Sequence, residues 1–146
     1  KLIRVFRELD LPIVLTEQYP KGLGPTTGRI REALGDCSPV EKVAFGCFRD
    51  ELFEATMDKL GRDQVLLAGV ETHVCICQTA CQAIERGFEV YVARDAVASR
   101  CDREAEAGFQ RMADEAALLV TAEMAIFELL GEAGTDEFKR VLPLLK

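Results

Sequence analysis

A doubly wound, mainly parallel α/β domain with helices on both faces of its sheet, in three layers, is the fold this sequence predicts. Two runs, VLLA at Val65–Ala68 and FEVYVA at Phe88–Ala93, the second broken only by Glu89, are apolar at consecutive positions, as strands buried on both faces require. Between them the spacing turns helical, so VLLAGVETHVCICQTACQAIERGFEVYVARD, Val65 to Asp95, reads as a βαβ unit. Strands and helices alternate along the rest of the chain with no internal repeat and no linker, which gives one domain over residues 1–146.

In chain order, Leu2, Val5, Phe6 and Leu9 share one face of an opening helix. A helix with no strand before it is an unusual start for an α/β chain. Pro12 begins an apolar strand, Ile13 to Leu15, that ends in Thr16-Glu17-Gln18. Tyr19 to Gly28, YPKGLGPTTG, holds two prolines and three glycines in ten residues and predicts a long loop, able to wall a pocket or form an interface. Arg29–Leu34 can make one or two helical turns before Gly35. PVEKVAF, Pro39–Phe45, predicts a short strand with Lys42 in it or just beyond, followed by the apolar cluster Phe45, Cys47 and Phe48. Asp50 can cap a helix over Glu51–Leu60, whose buried stripe would be Leu52, Phe53, Met57 and Leu60. Beyond the central unit, DAVASR, Asp95–Arg100, reads as a loop at a strand end. Asp102 can cap a helix running to Asp114, with Ala105, Phe109 and Met112 inward. Ala117–Thr121 predicts a last strand, and Ala122–Leu130 a helix stopped by Gly131. A final helix capped by Thr135 or Asp136 carries Phe138, Val141 and Leu142, and Pro143 should fray its end.

Composition narrows the partners. With 25 acidic against 18 basic residues and a net charge of −7, the chain is poorly suited to nucleic acid or to an anionic membrane. No stretch approaches the ~20 apolar residues of a membrane span, and none reads as a signal peptide. A core of this size needs no disulfides and the six cysteines follow no compact framework, so reduced thiols in a cytoplasmic protein are expected.

Open parallel sheets place their sites where strands end and helices begin, and Cys75 lies at such a junction. With Thr72 as N-cap, Cys75 falls in the first helical turn, where unpartnered backbone N–H groups and the helix dipole favour a thiolate and can hold an oxyanion. Most unpaired cysteines are simply small buried residues, and a lone strand lysine such as Lys42 is more often a solvated edge residue. His73, Cys77 and Cys81 are spaced by four and share a helical face, which invites a zinc reading. At about 100° per residue Cys75 points away from that face, so the four cannot converge on one ion. The single histidine excludes a His-rich metal centre, and no G-x-G-x-x-G or G-x-x-x-x-G-K follows a strand.

GVETHVC followed by QTA, then RGFEV and DAVASR, resembles the isochorismatase-like hydrolase family, and TEQYPKGLGPT resembles the loop of its isochorismatase-domain-containing subgroup. The resemblance covers nearly the whole chain. It implies a parallel six-stranded sheet between helices and, in many members, cysteine hydrolysis of amides by an Asp, Lys and Cys set. Cys75 matches the nucleophile, and Lys42 in VEKVAFGCF matches the lysine. The oxyanion hole would use the backbone N–H groups of Glu71 and Cys75, beside a cis Val70–Glu71 peptide. Phe45, Phe48 and His73 are candidate pocket residues. No residue matches the family's aspartate, which ends a strand ahead of the opening helix. The expectation is that this strand, roughly 20 residues with its turn, is missing from the chain. The histidine-built metal site of the nicotinamidase branch cannot be reproduced with His73 alone, and isochorismate cleavage belongs to members with a different residue at the nucleophile.

These readings make the chain a cytoplasmic cysteine hydrolase, an amidohydrolase-type enzyme acting on a small molecule, with no cofactor and no metal, and a homo-oligomer. The alternative is a catalytically inactive member that serves as an oligomeric interaction or structural protein.

Overall fold

The computed structural model describes residues 1–145. It divides into two compact units, one of Lys1–Glu41 with Ala122–Lys146 and one of Lys42–Thr121.

In the first unit, α1 (Leu2–Glu8) buries Val5 completely against Ile126 of α7 (Ala122–Leu130) and Val141 of α8 (Asp136–Leu145), with Leu2, Leu9 and Leu130 around them. Full burial of side chains of this size contributes about 1.5–3 kcal/mol each, which is enough to hold a seven-residue helix that would not stand alone. Of the strand expected from Ile13 to Leu15 and ending in Thr16-Glu17-Gln18, only the last three residues form β1 (Thr16–Gln18). Its hydrogen-bonded neighbour β2 (Val40–Lys42) is equally short, Pro12 has no N–H to give to a ladder, and pairing begins where the Val40 amide donates to the Leu15 carbonyl at 2.8 Å. The expected loop from Tyr19 is partly ordered as a one-turn helix, α2 (Pro20–Leu23), with Pro20 at its first position, where a missing N–H costs nothing. Then follows α3 (Gly28–Leu34). Pro143 does not end α8, which continues to Leu145 on the anchor of the fully buried Val141, and the Phe138 amide is capped by Thr135 Oγ1 at 3.1 Å.

The second unit is built on a three-stranded parallel sheet in the order β3 (Gln64–Val70), β4 (Glu89–Ala98), β5 (Leu118–Val120). The central strand β4 buries Val90, Val92 and Ala93 to 1% exposure or less, consistent with the consecutive apolar run. Here the chain departs from the expected loop at DAVASR, because Asp95–Ala98 continue β4. Leu67 pairs with Val92 but Gly69 pairs with Val97 and Val70 with Ala98, so β4 bulges between the two registers. Around the sheet run α4 (Glu51–Leu60), α5 (Cys77–Glu85) and α6 (Asp102–Asp114).

Asp50 caps α4 as expected, accepting the Phe53 amide at 3.0 Å. Phe53 and Met57 are buried, but Leu52, expected in the same stripe, is 63% exposed because it precedes Phe53 by one residue and faces outward. On α6, Phe109 and Met112 are buried. The N-cap position is Cys101, not Asp102, which sits instead in the first turn, where its charge suits the positive end of the helix.

Candidate active site

The junction that carries Cys75 is irregular from end to end. β3 stops at Val70, the Val70–Glu71 peptide is cis, and Glu71 is extended at φ −99° and ψ 145°. The carbonyl of Glu71 accepts the amides of Val74 at 3.1 Å and Ile76 at 3.2 Å, the wide spacing of a π turn over Thr72–Ile76, and regular α5 starts only at Cys77. Glu71, not Thr72, therefore occupies the N-cap position. Thr72 lies within the turn, fully buried, and among the described residues its Oγ1 has no hydrogen-bond partner. Cys75 is the fourth residue of this turn and is half-buried.

Lys42 is not a solvated edge residue. It ends β2 at 3% exposure, and its ammonium donates to the carbonyls of Ala44 and Phe45 at 3.0 Å each. A buried ammonium persists only where oxygens replace its water, and the turn after β2 supplies them. That turn is fastened to the helix beyond Cys75: the Cys47 amide donates to Thr79 Oγ1 at 3.0 Å, and the Phe48 amide to Gln82 Oε1 at 3.2 Å. The lysine segment and the cysteine segment thus share a hydrogen-bonded frame. Of the two candidate pocket phenylalanines, Phe45 is 54% exposed. Phe48 is buried in an aromatic cluster, edge-on to Phe53 at 5.1 Å and near Phe88 at 5.5 Å, with the Arg86 guanidinium 4.9 Å from its ring centre.

Past Cys75, a polar network reading of the sequence had not assembled surrounds the start of the turn. Arg100 Nε donates to both carboxylate oxygens of Glu71, at 3.0 and 3.1 Å. His73 Nε2 stands 3.6 Å from the same carboxylate, and its Nδ1 is 2.9 Å from Ser99 Oγ. The backbone of His73 lies against Gly108 of α6, so closely that a Cβ there would stand 3.0 Å from His73 Cα. The pairing of Glu71 with Arg100 was signalled by opposite charges at the ends of two strands now seen to be adjacent.

The thiols differ. Burial first, and then the neighbouring Cys81, push the Cys77 thiol up to about 11, although Arg111 pulls the other way. Cys77 is 2% exposed and Cys75 is not buried. None of the six cysteines is in a disulfide. Among the described residues no three or more His, Cys, Asp or Glu side chains are grouped to hold a metal ion, and His73 turns to Ser99 and Glu71.

The isochorismatase domain, as a family profile, matches residues 1–124. The chain belongs to the isochorismatase family. Mouse isochorismatase domain-containing protein 2A is 37% identical over 150 residues, covering 100% of this chain and 69% of its own length. Among solved structures, the MAR1 ribonuclease of Caenorhabditis elegans superposes with a TM-score of 0.91 at 38% identity, over 99% of this chain and 74% of that one. The Escherichia coli YcaC gene product, an octameric hydrolase of unknown specificity, gives a TM-score of 0.84 at 27% identity, over 90% of this chain and 65% of its own. The isochorismatase-like α/β/α fold is thereby established, and hydrolases are among the neighbours of this family member. Among the described residues no helix is long and apolar enough to cross a membrane.

Proposed function

We propose that this isochorismatase-family chain is a cysteine hydrolase that cleaves a C–N bond, an amide or a close relative, of a small molecule. The observation that carries the reading is the placement of a half-buried cysteine in a π turn at a strand end, with a fully buried lysine in a segment hydrogen-bonded to the helix that follows. Strand ends of parallel sheets are where such folds hold substrates.

In this mechanism the Cys75 thiolate attacks the carbonyl carbon, and the backbone N–H groups of Glu71 and Cys75 receive the charge that develops on the oxygen. The C–N bond breaks, the amine leaves with the proton first taken from the thiol, and water hydrolyses the thioester. A general acid–base group carries that proton, an aspartate in the family's catalytic set, to which no residue of this chain is matched. Lys42, its ammonium held on the Ala44 and Phe45 carbonyls, contributes the positive charge of the set. Phe45, Phe48 and His73 are the side chains proposed around the substrate. Six cysteines with no disulfide among them suit a reducing compartment, and we place the protein in the cytoplasm. Assembly into a homo-oligomer is proposed from the octameric neighbour.

A panel of small amides and esters, tested with Cys75→Ala and Lys42→Ala, examines the reading. Each substitution should abolish most turnover, and the double variant should lose little more, because groups acting as a unit are not additive. Wild-type turnover by Cys75→Ala excludes covalent catalysis by this thiol. The ribonuclease named among the structural neighbours makes an RNA oligonucleotide a necessary member of the panel. The net charge of −7 favours the small-molecule reading over it.

A further inference from the structure

The turn that presents Cys75 starts on a carboxylate, and this arrangement is costly for a nucleophilic thiol. Glu71 holds the N-cap position, its carbonyl anchors the Val74 and Ile76 amides, and its side chain is only 26% exposed. A bare negative charge one turn from a thiol disfavours the thiolate, against the pull of the helix N-terminus. We propose that Arg100 is a charge-compensating positioning residue: the Glu71 carbonyl fixes the turn while its carboxylate makes no cap bond, and Arg100 pairs with that carboxylate so that it does not suppress ionisation of Cys75. This rests on the reading of Cys75 as the nucleophile.

The geometry fits compensation better than structural support. Arg100 Nε reaches both oxygens of Glu71, at 3.0 and 3.1 Å, while the Arg100 side chain is otherwise 76% exposed. His73 is the other basic group at this carboxylate, 3.6 Å away, and it adds charge only when protonated. The turn after β2 brings Lys42, whose ammonium donates to the Ala44 and Phe45 carbonyls and is common to every variant below. β3 has no charged residue, Arg94 of β4 pairs with Glu106 of α6, and Arg103 of α6 pairs with its neighbour Glu104. From α5, Cys77 faces Cys81, with Arg111 and Glu115 nearby. Asp95 and Asp102 are common to every variant below, so their influence cancels in the comparison.

The test is the pH profile of iodoacetamide alkylation at Cys75, quantified by peptide mass spectrometry so that the other thiols are counted separately. Wild type, Arg100→Gln and Glu71→Gln/Arg100→Gln are compared from about pH 6 to 10, and again in a His73→Gln background that removes the imidazole's own titration. The Arg100→Gln midpoint should rise by roughly half to one pH unit, read near neutrality as ~3–10-fold slower alkylation. Removing the carboxylate as well should restore the wild-type midpoint. The proposal is overturned if Arg100→Gln leaves the midpoint in place, or if the double variant stays as shifted as the single one. A wild-type Cys75 that resists alkylation at every pH defeats the nucleophile reading itself, whereas a reactive Cys75 indifferent to Arg100 defeats only the compensation.

Discussion

The amide of Thr26 donates to Oε1 of Glu17 at 2.8 Å, which ties the far end of the proline- and glycine-rich segment back to the strand it left. Glu17 is buried at 8% exposure, and its carboxyl lies below the ordinary carboxylate range. Hydrogen bonding to Thr26 is the main cause and the charge of Arg31 a smaller one, while burial opposes both.

That carboxylate gives the first prediction. Because its folded pKa lies below the unfolded value near 4.5, the unfolded chain binds more protons in the interval below 4.5. Stability from Glu17 is therefore fully present above that pH and is lost as the pH falls through the folded pKa. Glu17→Gln should cost about 1 kcal/mol at neutral pH and flatten the fall in stability as the pH drops below about 4.5. Urea unfolding at several pH values checks it, and parallel curves for the two proteins would refute it.

Gly108→Ala should destabilise, although alanine is the better helix former by about 1 kcal/mol. The new Cβ would stand 3.0 Å from Cα and 3.2 Å from the amide nitrogen of His73, and these are backbone atoms of the cysteine turn that cannot swing away. A loss of about 1–3 kcal/mol is expected, with slower Cys75 alkylation. A rise in Tm would show that α6 shifts freely.

Thr72→Val should do the opposite. The Thr72 hydroxyl is fully buried without a partner among the described residues, and valine has nearly the same shape with nothing to satisfy. A gain of about 1 kcal/mol is expected from removing that desolvated oxygen. A lower Tm in the variant would mean that the hydroxyl finds a partner in solution.

Among the thiols, Cys75 should alkylate before Cys77 and Cys81 near neutral pH. Cys77 is held up near 11 by burial and by Cys81, so below about pH 9 it carries little thiolate. Faster labelling of Cys77 or Cys81 in native protein would overturn the assignment of the nucleophile.

The sequence disclosed the secondary structure best where one physical cause acted alone. The doubly apolar β4, the Asp50 cap and the Gly131 stop each depend on neighbours in the chain, and each was legible. Lys42 was misjudged on composition alone because its burial is decided by two carbonyls that a turn folds back on it. Thr72 was misjudged as a cap because the chain enters the helix through a π turn, and a π turn depends on packing more than on residue type. The strand character of DAVA was hidden because its partner, the end of β3, meets it only after a register change. The placement of Cys75 just past a strand end was legible in the sequence, while the Arg100 and Ser99 contacts required knowing that β4 outlasts the bulge.

That bulge separates two problems that evolution could otherwise solve only together. Before it, β4 keeps register with β3 through Leu67 and Val92. After it, Gly69 and Val70 meet Val97 and Ala98, and the chain delivers Ser99 and Arg100 to His73 and Glu71. Lengthening or shortening Arg94–Ala96 would change which side chains arrive beside the cysteine turn, yet leave the Leu67–Val92 and Ala93–Val120 pairings below it in place. The length of this one segment, and not only the side chains in it, therefore decides which charges stand beside the cysteine turn.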